Sequence, residues 1–443
     1  MSDRTGCRIG SASLVALALI LASARVMAQS PEPPPSAAPA PASGPAPTEP
    51  SPKPEATAPE APPPVHYPVL EPNHEIRLSE SVALRLGVQA QVWADSSQDS
   101  NRQADGQSGG YQNNFFLRRG RILAGAHLLK DVTIYVLLES GNLGRATGDA
   151  ANAKNFTSPQ FLEAWGEVKL HDAFLIEGGL MLVPISRNHV MGTTTYLSLD
   201  AGNTTAVTIG ALQTATLRDV GLQAKGQLFG DRFEYRVGAF SGIREAPKTT
   251  PQAEVGAQNG PRFSGYFQYD FLDPEKGYIF QGTYYGRKKV LGISSGVDVQ
   301  KGSNKDPYYA VSGAAFAAIP LNGDAKEGGD EIGALVNYTY YDGQETAPTV
   351  SGQNDLLTEL AYFNKAVKMS VFGKFEGQFF GANATKVGNR LWYGGGLKYH
   401  LYENFCNFTL AYNRSEFPKA PTSGVGAKNS TNEFTFAMQI FYY

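Results

Sequence analysis

The sequence is poor in cysteine and has no long apolar run. Its 443 residues include two cysteines, Cys7 and Cys406. Cys7 falls within a predicted export signal, so that only Cys406 remains after cleavage and no disulfide can form within the exported chain. The continuous apolar run at residues 11–24 is shorter than the roughly 20 residues that a membrane-spanning helix needs. These absences exclude a disulfide-stapled secreted domain and disfavour a helical membrane anchor.

The chain also lacks a strong charge of either sign and any catalytic motif. Its formal net charge is −3 at pH 7, which gives no basis for nucleic-acid binding. His127, His171, His189 and His400 are scattered without metal-ligand spacing. An embedded hydrolase would need a Ser-His-Asp constellation, and the sequence shows none, nor a phosphate loop or a dinucleotide fingerprint. The sequence therefore predicts no enzyme activity, no cofactor and no metal site.

The first 75 residues divide into two segments of distinct composition. Residues 1–28 combine two early arginines, an apolar run and the small-residue ending VMA, which is the pattern of a secretory signal peptide. Residues 29–75 are dominated by Pro and Ala. They lack the apolar side chains that repay the entropy of ordering, so we expect an extended periplasmic linker. The rest of the chain, 76–443, has one composition and is predicted to form a single domain.

Polar and apolar residues alternate through most of that domain. In VKMSVFGKFEGQFFG (367–381), Met369 and Val371 share one face, while Lys368 and Lys374 share the other. A period of two indicates a strand with one dry and one wet face. Many such segments reach ten or more residues, whereas soluble strands average about five or six. Long alternating strands without an apolar helix are typical of an all-β fold, a transmembrane antiparallel β-barrel.

A count of the alternating segments supports a barrel of about sixteen strands, an even number. Tight and long connections alternate along the chain if 272–289 is one connection, although YIFQGTYYGRKK within it resembles a strand. The predicted strands are 82–95, 113–129, 132–140, 160–170, 173–182, 216–228, 232–242, 261–271, 290–300, 308–319, 331–342, 354–364, 367–380, 388–401, 405–415 and 433–443.

One predicted strand carries three arginines. In NNFFLRRGRILAGAHLLKD (113–131), Arg119 and Arg121 alternate toward the same face. An arginine that faces lipid costs about 2–4 kcal/mol at the middle of the bilayer, so we expect both to face a wet lumen. Arg118 has the opposite phase. It must lie near the outer interface unless a β-bulge redirects it.

The same stretch carries a family resemblance. FFLRRGRILAG (115–125) resembles the RRxRI segment of the phosphate-selective porin O/P family. The order of the segments that follow also resembles that family: FLEAWGEVKL (161–170), then LIEGGLMLVPIS (175–186), then a long loop. FQYDFLDPEKGYIFQGTYYGRKKVLGI (267–293) also resembles a segment of that family. The resemblance implies a sixteen-stranded outer-membrane porin, often a homotrimer, with a third outer loop, here 183–215, folded into the barrel. It also implies a ladder of arginines that draws in phosphate.

The arginine ladder cannot be matched residue by residue. Polar faces of the predicted strands place both cations and carboxylates in the lumen, with a small excess of cations, so general diffusion or a mild anion preference is favoured over phosphate specificity. Arg187, His189 and Asp200, in the predicted inward loop, are candidates for the constriction, although an ordinary solvated loop explains them equally well. The predicted pore-lining cations are Arg119, Arg121, Arg232, Arg236, Lys368, Lys374, Arg390 and Lys398.

The function predicted from the sequence is that of an outer-membrane porin for passive diffusion of small hydrophilic solutes or ions. Its expected partners are outer-membrane lipid, small solutes or anions, and further copies of itself in a homotrimer. Two alternatives stay open. One is a structural barrel whose Pro-rich arm reaches toward the cell wall, and the other is a soluble exported all-β protein.

Overall fold

The chain forms a β-structure with very little helix. The computed structural model describes residues 75–98, 110–146, 154–208, 212, 216–243, 260–303, 305–381, 388–417 and 430–443. The predicted signal peptide (1–28) and all but Glu75 of the predicted linker (29–75) lie outside these residues. Within them there is one 3-10 helix, Thr204–Thr208, and no helix is long and apolar enough to cross a membrane. The strands are β1 (Ile76–Ser79), β2 (Val82–Gln98), β3 (Tyr111–Leu128), β4 (Val132–Leu143), β5 (Gln160–His171), β6 (Phe174–Leu182), β7 (Arg218–Leu228), β8 (Phe233–Phe240), β9 (Arg262–Asp270), β10 (Val290–Gln300), β11 (Tyr308–Pro320), β12 (Glu331–Asp342), β13 (Gln353–Asn364), β14 (Met369–Phe380), β15 (Arg390–Tyr402), β16 (Cys406–Glu416) and β17 (Ser430–Tyr442).

Sixteen of these strands close into an antiparallel barrel. Each strand from β2 to β17 pairs with its neighbour along the chain, and β17 pairs with β2 to close the ring. The short β1 adds pairs only at the start of β2, around Val82–Leu84. All sixteen predicted strands are present. The strand-like segment 272–289 belongs to the connection between β9 and β10 and contributes no named strand, which confirms the even count.

The strands keep their wet faces inside and their dry faces outside. On β13, Glu359 is 1% exposed and faces the lumen, whereas Leu360 next to it is 58% exposed on the outer wall. The same alternation runs through β16, where Leu410 is exposed and Thr409 is buried. An outward apolar side chain is stable when lipid surrounds the wall, and an inward polar one is stable when it meets water or other polar groups.

The two ends of the barrel differ in the length of their connections. At one end, which we call the short-turn end, turns such as 129–131, 172–173 and 403–405 are tight. The other, the long-loop end, bears 183–217 and the connection that precedes β9. Tight turns favour residues that tolerate a left-handed backbone, and Gly230 at the β7–β8 turn has a φ of 67°. β2 begins and β17 ends at the short-turn end.

A bulge in β3 settles the direction of Arg118. Gln91 pairs with Arg119 and the next residue, Val92, pairs with Leu117, so Arg118 has no partner on β2. An extra residue of this kind bends the strand and turns a side chain to the other face. Arg118 therefore points into the lumen together with Arg119, and the alternative that placed it at the outer interface is wrong.

Candidate functional site: the barrel lumen and its inner segments

A long loop from the long-loop end folds into the barrel, as the family resemblance implied. This inner loop, residues 183–217, is described except at 209–211 and 213–215. Lysines of the wall hold its backbone. Lys398 Nζ donates to the carbonyl oxygens of Tyr196 and Ser198 at 2.8 and 2.9 Å, and Lys374 Nζ donates to that of Asp200 at 3.0 Å. Carbonyl groups without a strand partner thus gain charged donors, which stabilises irregular backbone inside the barrel.

Asp200 joins the inner loop to the bulged part of β3. Its carboxylate lies 2.8 Å from Arg118 Nη2 and 2.6 Å from Arg119 Nη2. Burial alone would raise the pKa of Asp200, but the two guanidinium groups outweigh burial and hold its pKa well below the usual range. Asp200 is therefore ionised at neutral pH, and it neutralises one of the two arginine charges next to it.

A second segment enters the lumen from the short-turn end. This inner strap, residues 271–289, connects β9 to β10. It meets the inner loop through backbone bonds, because Gly192 N donates to the Phe280 carbonyl at 2.9 Å and Phe280 N donates to the Val190 carbonyl at 2.9 Å. The two segments thus form one packed body inside the barrel, and it is linked to the wall from both ends.

A buried ion pair fastens the inner loop to the inner strap. Arg187 binds the Glu275 carboxylate with both terminal nitrogens, at 2.7 and 2.8 Å. Its guanidinium carbon lies 4.5 Å from the Phe280 ring centre and 4.0 Å from that of Phe316. Burial would lower the pKa of Arg187, but Glu275 raises it above the ordinary value. Such planar, two-point pairing between aromatic rings suits arginine rather than lysine.

His189 is also buried, and it has no charged partner. Ser186 Oγ lies 2.8 Å from its Nδ1, while its Nε2 has no hydrogen-bond partner within the described residues. Burial, together with the nearby charges of Arg262 and Arg218, lowers the pKa of His189 to about 3. The ring is neutral at physiological pH, and it serves the packing of the inner loop.

A cavity lies between the inner loop and one side of the wall. This vestibule has a volume of about 380 Å³. Three further cavities that the inner segments leave against β10–β17 and β2 measure about 10 to 20 Å³, which is room for about one water each. The vestibule is far larger than these three cavities. Its charged lining residues are Arg118, Arg119, Arg121, Arg145, Arg218, Lys374, Glu139, Asp200, Glu376 and Glu433.

Most of these charges are paired. Arg121 Nε lies 2.5 Å from Glu139 Oε2, and Arg218 Nη2 lies 2.5 Å from Glu163 Oε1. Arg145 differs, because its side chain is 45% exposed and its nearest carboxylate, on Asp95, is 3.6 Å away. The lining contains six cations and four carboxylates, but two carboxylates outside the lining, Glu163 and Asp95, pair with Arg218 and Arg145 and offset most of this positive excess.

The structure places the predicted pore-lining cations in three kinds of position. Arg119, Arg121 and Lys374 line the vestibule. Arg236 and Lys398 face the lumen but are buried, and they hold the inner strap and the inner loop, Arg236 through the Tyr278 carbonyl at 2.7 Å.

The three remaining predicted cations lie at the barrel ends. Arg390 is exposed at the long-loop end of β15. Arg232 and Lys368 lie in turns that precede β8 and β14, so their predicted positions on strand faces are wrong. The turn before β8 ends one residue later than the alternation suggested and the turn before β14 ends two residues later. Lys368 has a positive φ of 53° there.

The predicted constriction residues also separate. Asp200 lines the vestibule, whereas Arg187 and His189 are 2% exposed behind it and do not. Sequence reasoning missed Arg145 and Arg218. Arg145 lies outside the alternating segments and Arg218 lies at the start of one, so the alternation did not mark either residue. Among the described residues, no group of three or more His, Cys, Asp or Glu side chains is placed to hold a metal ion.

Comparisons with known proteins agree with the barrel. No protein-family model matches the sequence, and no curated protein matches it. Among solved structures, the high-pH structure of Pseudomonas putida OprB aligns with a TM-score of 0.53 at 10% identity, covering 82% of this chain and 94% of that one. The anion-selective porin from Comamonas acidovorans aligns with a TM-score of 0.50 at 11% identity, covering 82% of this chain and all of the other. At this level of identity the likeness shows a shared porin-type β-barrel fold.

Proposed function

We propose that this chain is a bacterial outer-membrane porin, a water-filled channel for passive diffusion of small hydrophilic solutes with a mild preference for anions. The outward apolar wall around a polar lumen supports a membrane location. The short-turn end then faces the periplasm and the long-loop end faces outward, because porin-type barrels have short periplasmic turns and longer outer loops. The predicted signal peptide supports export to that membrane.

The observation that carries the anion preference is that six cations and four carboxylates line the vestibule, and that one of these cations, Arg145, is half-exposed and only loosely paired. Charge rings in a narrow, partly dry space decide which ions enter. Ion pairing of Arg118, Arg119 and Arg121 with carboxylates leaves little free positive charge for a tightly bound phosphate. We therefore propose a weak, general preference for anions rather than phosphate specificity. The homotrimer remains a prediction that chemical cross-linking in detergent would test.

Ion selectivity in planar bilayers tests this function. The purified full chain should conduct, and its reversal potential across a salt gradient should indicate anion preference. Arg145→Gln removes an exposed vestibule charge and should reduce that preference, most clearly at low salt, where screening is weak. Arg414→Gln removes the same charge from β16 outside the vestibule, where Arg414 bonds to Glu416 at 3.1 Å, and should leave selectivity unchanged.

Three results would contradict the proposal. A chain that folds in the outer membrane but never conducts would favour the structural barrel with a Pro-rich arm. Equal shifts in the two arginine variants would show that the vestibule does not set the selectivity. Recovery of the folded chain without detergent would favour the soluble alternative.

A further inference from the structure

The vestibule ends above an apolar stretch of the wall. Its floor toward β3 and β4 is formed by Arg121 and Glu139, which are paired across the two strands. One lumenal position closer to the short-turn end, Leu123 and Leu137 face each other and are 5% and 4% exposed. On β3 and β4 the lining therefore changes from charged to apolar at this level, while Glu163, the partner of Leu137 on β5, keeps a carboxylate beside the two leucines.

Below the two leucines lies a layer of four aromatic rings. Tyr135 and Trp165 are cross-strand partners on β4 and β5, and their ring centres are 5.2 Å apart. Tyr278 of the inner strap lies 4.8 Å from Trp165 and 6.4 Å from Tyr135. Tyr443, which follows β17, lies 5.9 Å from Tyr135. We call these four residues the aromatic layer, and ring centres 4.5–7 Å apart mark direct packing.

The fold is built to accommodate and hold this layer. A Cβ at Gly125, on the neighbouring strand at the same level, would lie 2.4 Å from Tyr443 Oη, so a side chain there would force the Tyr443 ring to move from its place in the layer. The hydroxyl of Tyr278 accepts a bond from Leu182 N at 3.0 Å. The guanidinium carbon of Arg85 lies 4.1 Å from the Tyr443 ring centre. The rings are thus fixed from three sides.

Charged groups lie on the far side of the rings as well. Lys225 Nζ is 5.1 Å from the Tyr278 ring centre and 5.6 Å from that of Trp165. It is held by Glu167 and Glu177, each at 2.6 Å. The aromatic layer thus lies between the charged lining of the vestibule and the group formed by Lys225 and its two glutamates, and Arg85 borders it at its own level. Three other cavities beside the inner segments are only water-sized.

We propose that the aromatic layer of Tyr135, Trp165, Tyr278 and Tyr443 is the constriction of the channel, and that it sets the conductance and the size limit for solutes. The inference rests on the proposed porin function and relocates the specificity-determining residues from Arg187 and His189 of the inner loop to these rings. An apolar constriction resists wetting, so it restricts ion flow more strongly than a polar opening of equal width. Tyr135 and Trp165 belong to strands of the wall, Tyr443 follows the last strand, and Tyr278 lies on the inner strap.

Single-channel conductance of the full chain tests the constriction. Trp165→Ala and Tyr278→Ala each remove a ring from the layer, one from the wall and one from the strap. Each should raise conductance at least about twofold by widening and wetting the opening, and each should admit larger neutral sugars in liposome-swelling assays. Tyr278→Phe keeps the ring and loses only the bond to Leu182, so its conductance should stay near that of the wild type.

Tyr309→Ala is the matched control for Tyr278→Ala. Tyr309 lies on the outer face of β11, and its ring packs on Tyr340 with centres 5.8 Å apart, outside the lumen. Its loss removes the same side chain without opening the constriction, so conductance and the sugar size limit should not change. Heat-modifiability on gels shows that each variant is folded. If Trp165→Ala does not fold, Tyr278→Ala still decides the question.

The possible outcomes separate the two proposals. A conducting wild type with unchanged conductance in Tyr278→Ala would overturn the constriction and leave the porin function intact. An equal rise in Tyr309→Ala would overturn it too, because the loss of a ring outside the lumen would then have the same effect. A silent wild type with a conducting Tyr278→Ala would support a constriction that is shut at rest. If neither conducts, the porin function fails, and the constriction fails with it.

Discussion

Removing Arg187 should strongly destabilise the barrel. Its guanidinium is 2% exposed, binds both oxygens of Glu275, and also donates to Gln268 Oε1 at 3.0 Å and to the Gln281 carbonyl at 3.1 Å. Arg187→Met keeps the length and the contact with the two phenylalanine rings but leaves the Glu275 carboxylate, which is 1% exposed, without its cation. Breaking a buried pair from one side costs about 3–5 kcal/mol.

The double variant Arg187→Met, Glu275→Gln separates this charge effect from the loss of packing. A neutral amide at position 275 no longer needs a cation, and replacing a whole buried pair is often nearly neutral. We expect the double variant to recover most of the lost stability. Arg145→Met is the exposed control. Its pair with Asp95 spans 3.6 Å at a side chain that is 45% exposed, and exposed pairs contribute about 0–1 kcal/mol.

Urea unfolding of the refolded chain in detergent micelles, followed by tryptophan fluorescence, measures these free energies. The reasoning would be refuted if Arg187→Met unfolded within about 1 kcal/mol of the wild type, the range expected for an exposed pair. It would also be refuted if the double variant were as unstable as the single one, since the loss would then come from packing and not from the unpaired carboxylate.

Three further predictions address the wall, the inner loop and the linker. Leu410→Arg, at the middle of the outer face of β16, should reduce the free energy of unfolding by about 2–4 kcal/mol. Asn413 lines the vestibule, so Asn413→Arg should fold normally. Equal folded yields for the two variants would mean that the assigned faces are wrong. The pKa of His189 is about 3 in the folded chain and about 6.5 in the unfolded chain. Between these two pH values only the unfolded chain binds the proton, so the free energy of unfolding falls as the pH falls, by about 2 kcal/mol at pH 5. His189→Leu should flatten this part of the stability–pH curve, and an unchanged slope in urea unfolding would count against it. Deleting residues 30–64, which lack apolar side chains for a core, should leave conductance intact, and its loss at equal folded yield would contradict a plain tether.

The wall of the barrel was predictable because its signal is local. The two-residue period assigns each side chain to a face without reference to any distant residue, and it placed Met438 outside and Gln439 inside, as the structure has them. The same signal failed where the local pattern is interrupted. At Arg118 a bulge adds one residue, and at Lys368 a turn continues two residues further than the alternation suggested.

The contents of the lumen were decided only by the tertiary structure. Gln439 faces inward as predicted, yet it is not in open water, because it bonds to Gln91 and to the Thr194 carbonyl of the inner loop. Arg187 meets Glu275 from 88 residues away, and the aromatic layer unites rings from two strands, the inner strap and the residue after β17. No period in the sequence encodes such contacts, because they depend on which strands face each other across a closed ring and on how two long connections fold into it. The sequence thus determined which face of each strand lies toward the lumen, while the folding of the inner loop and the inner strap decided how much of the lumen they fill.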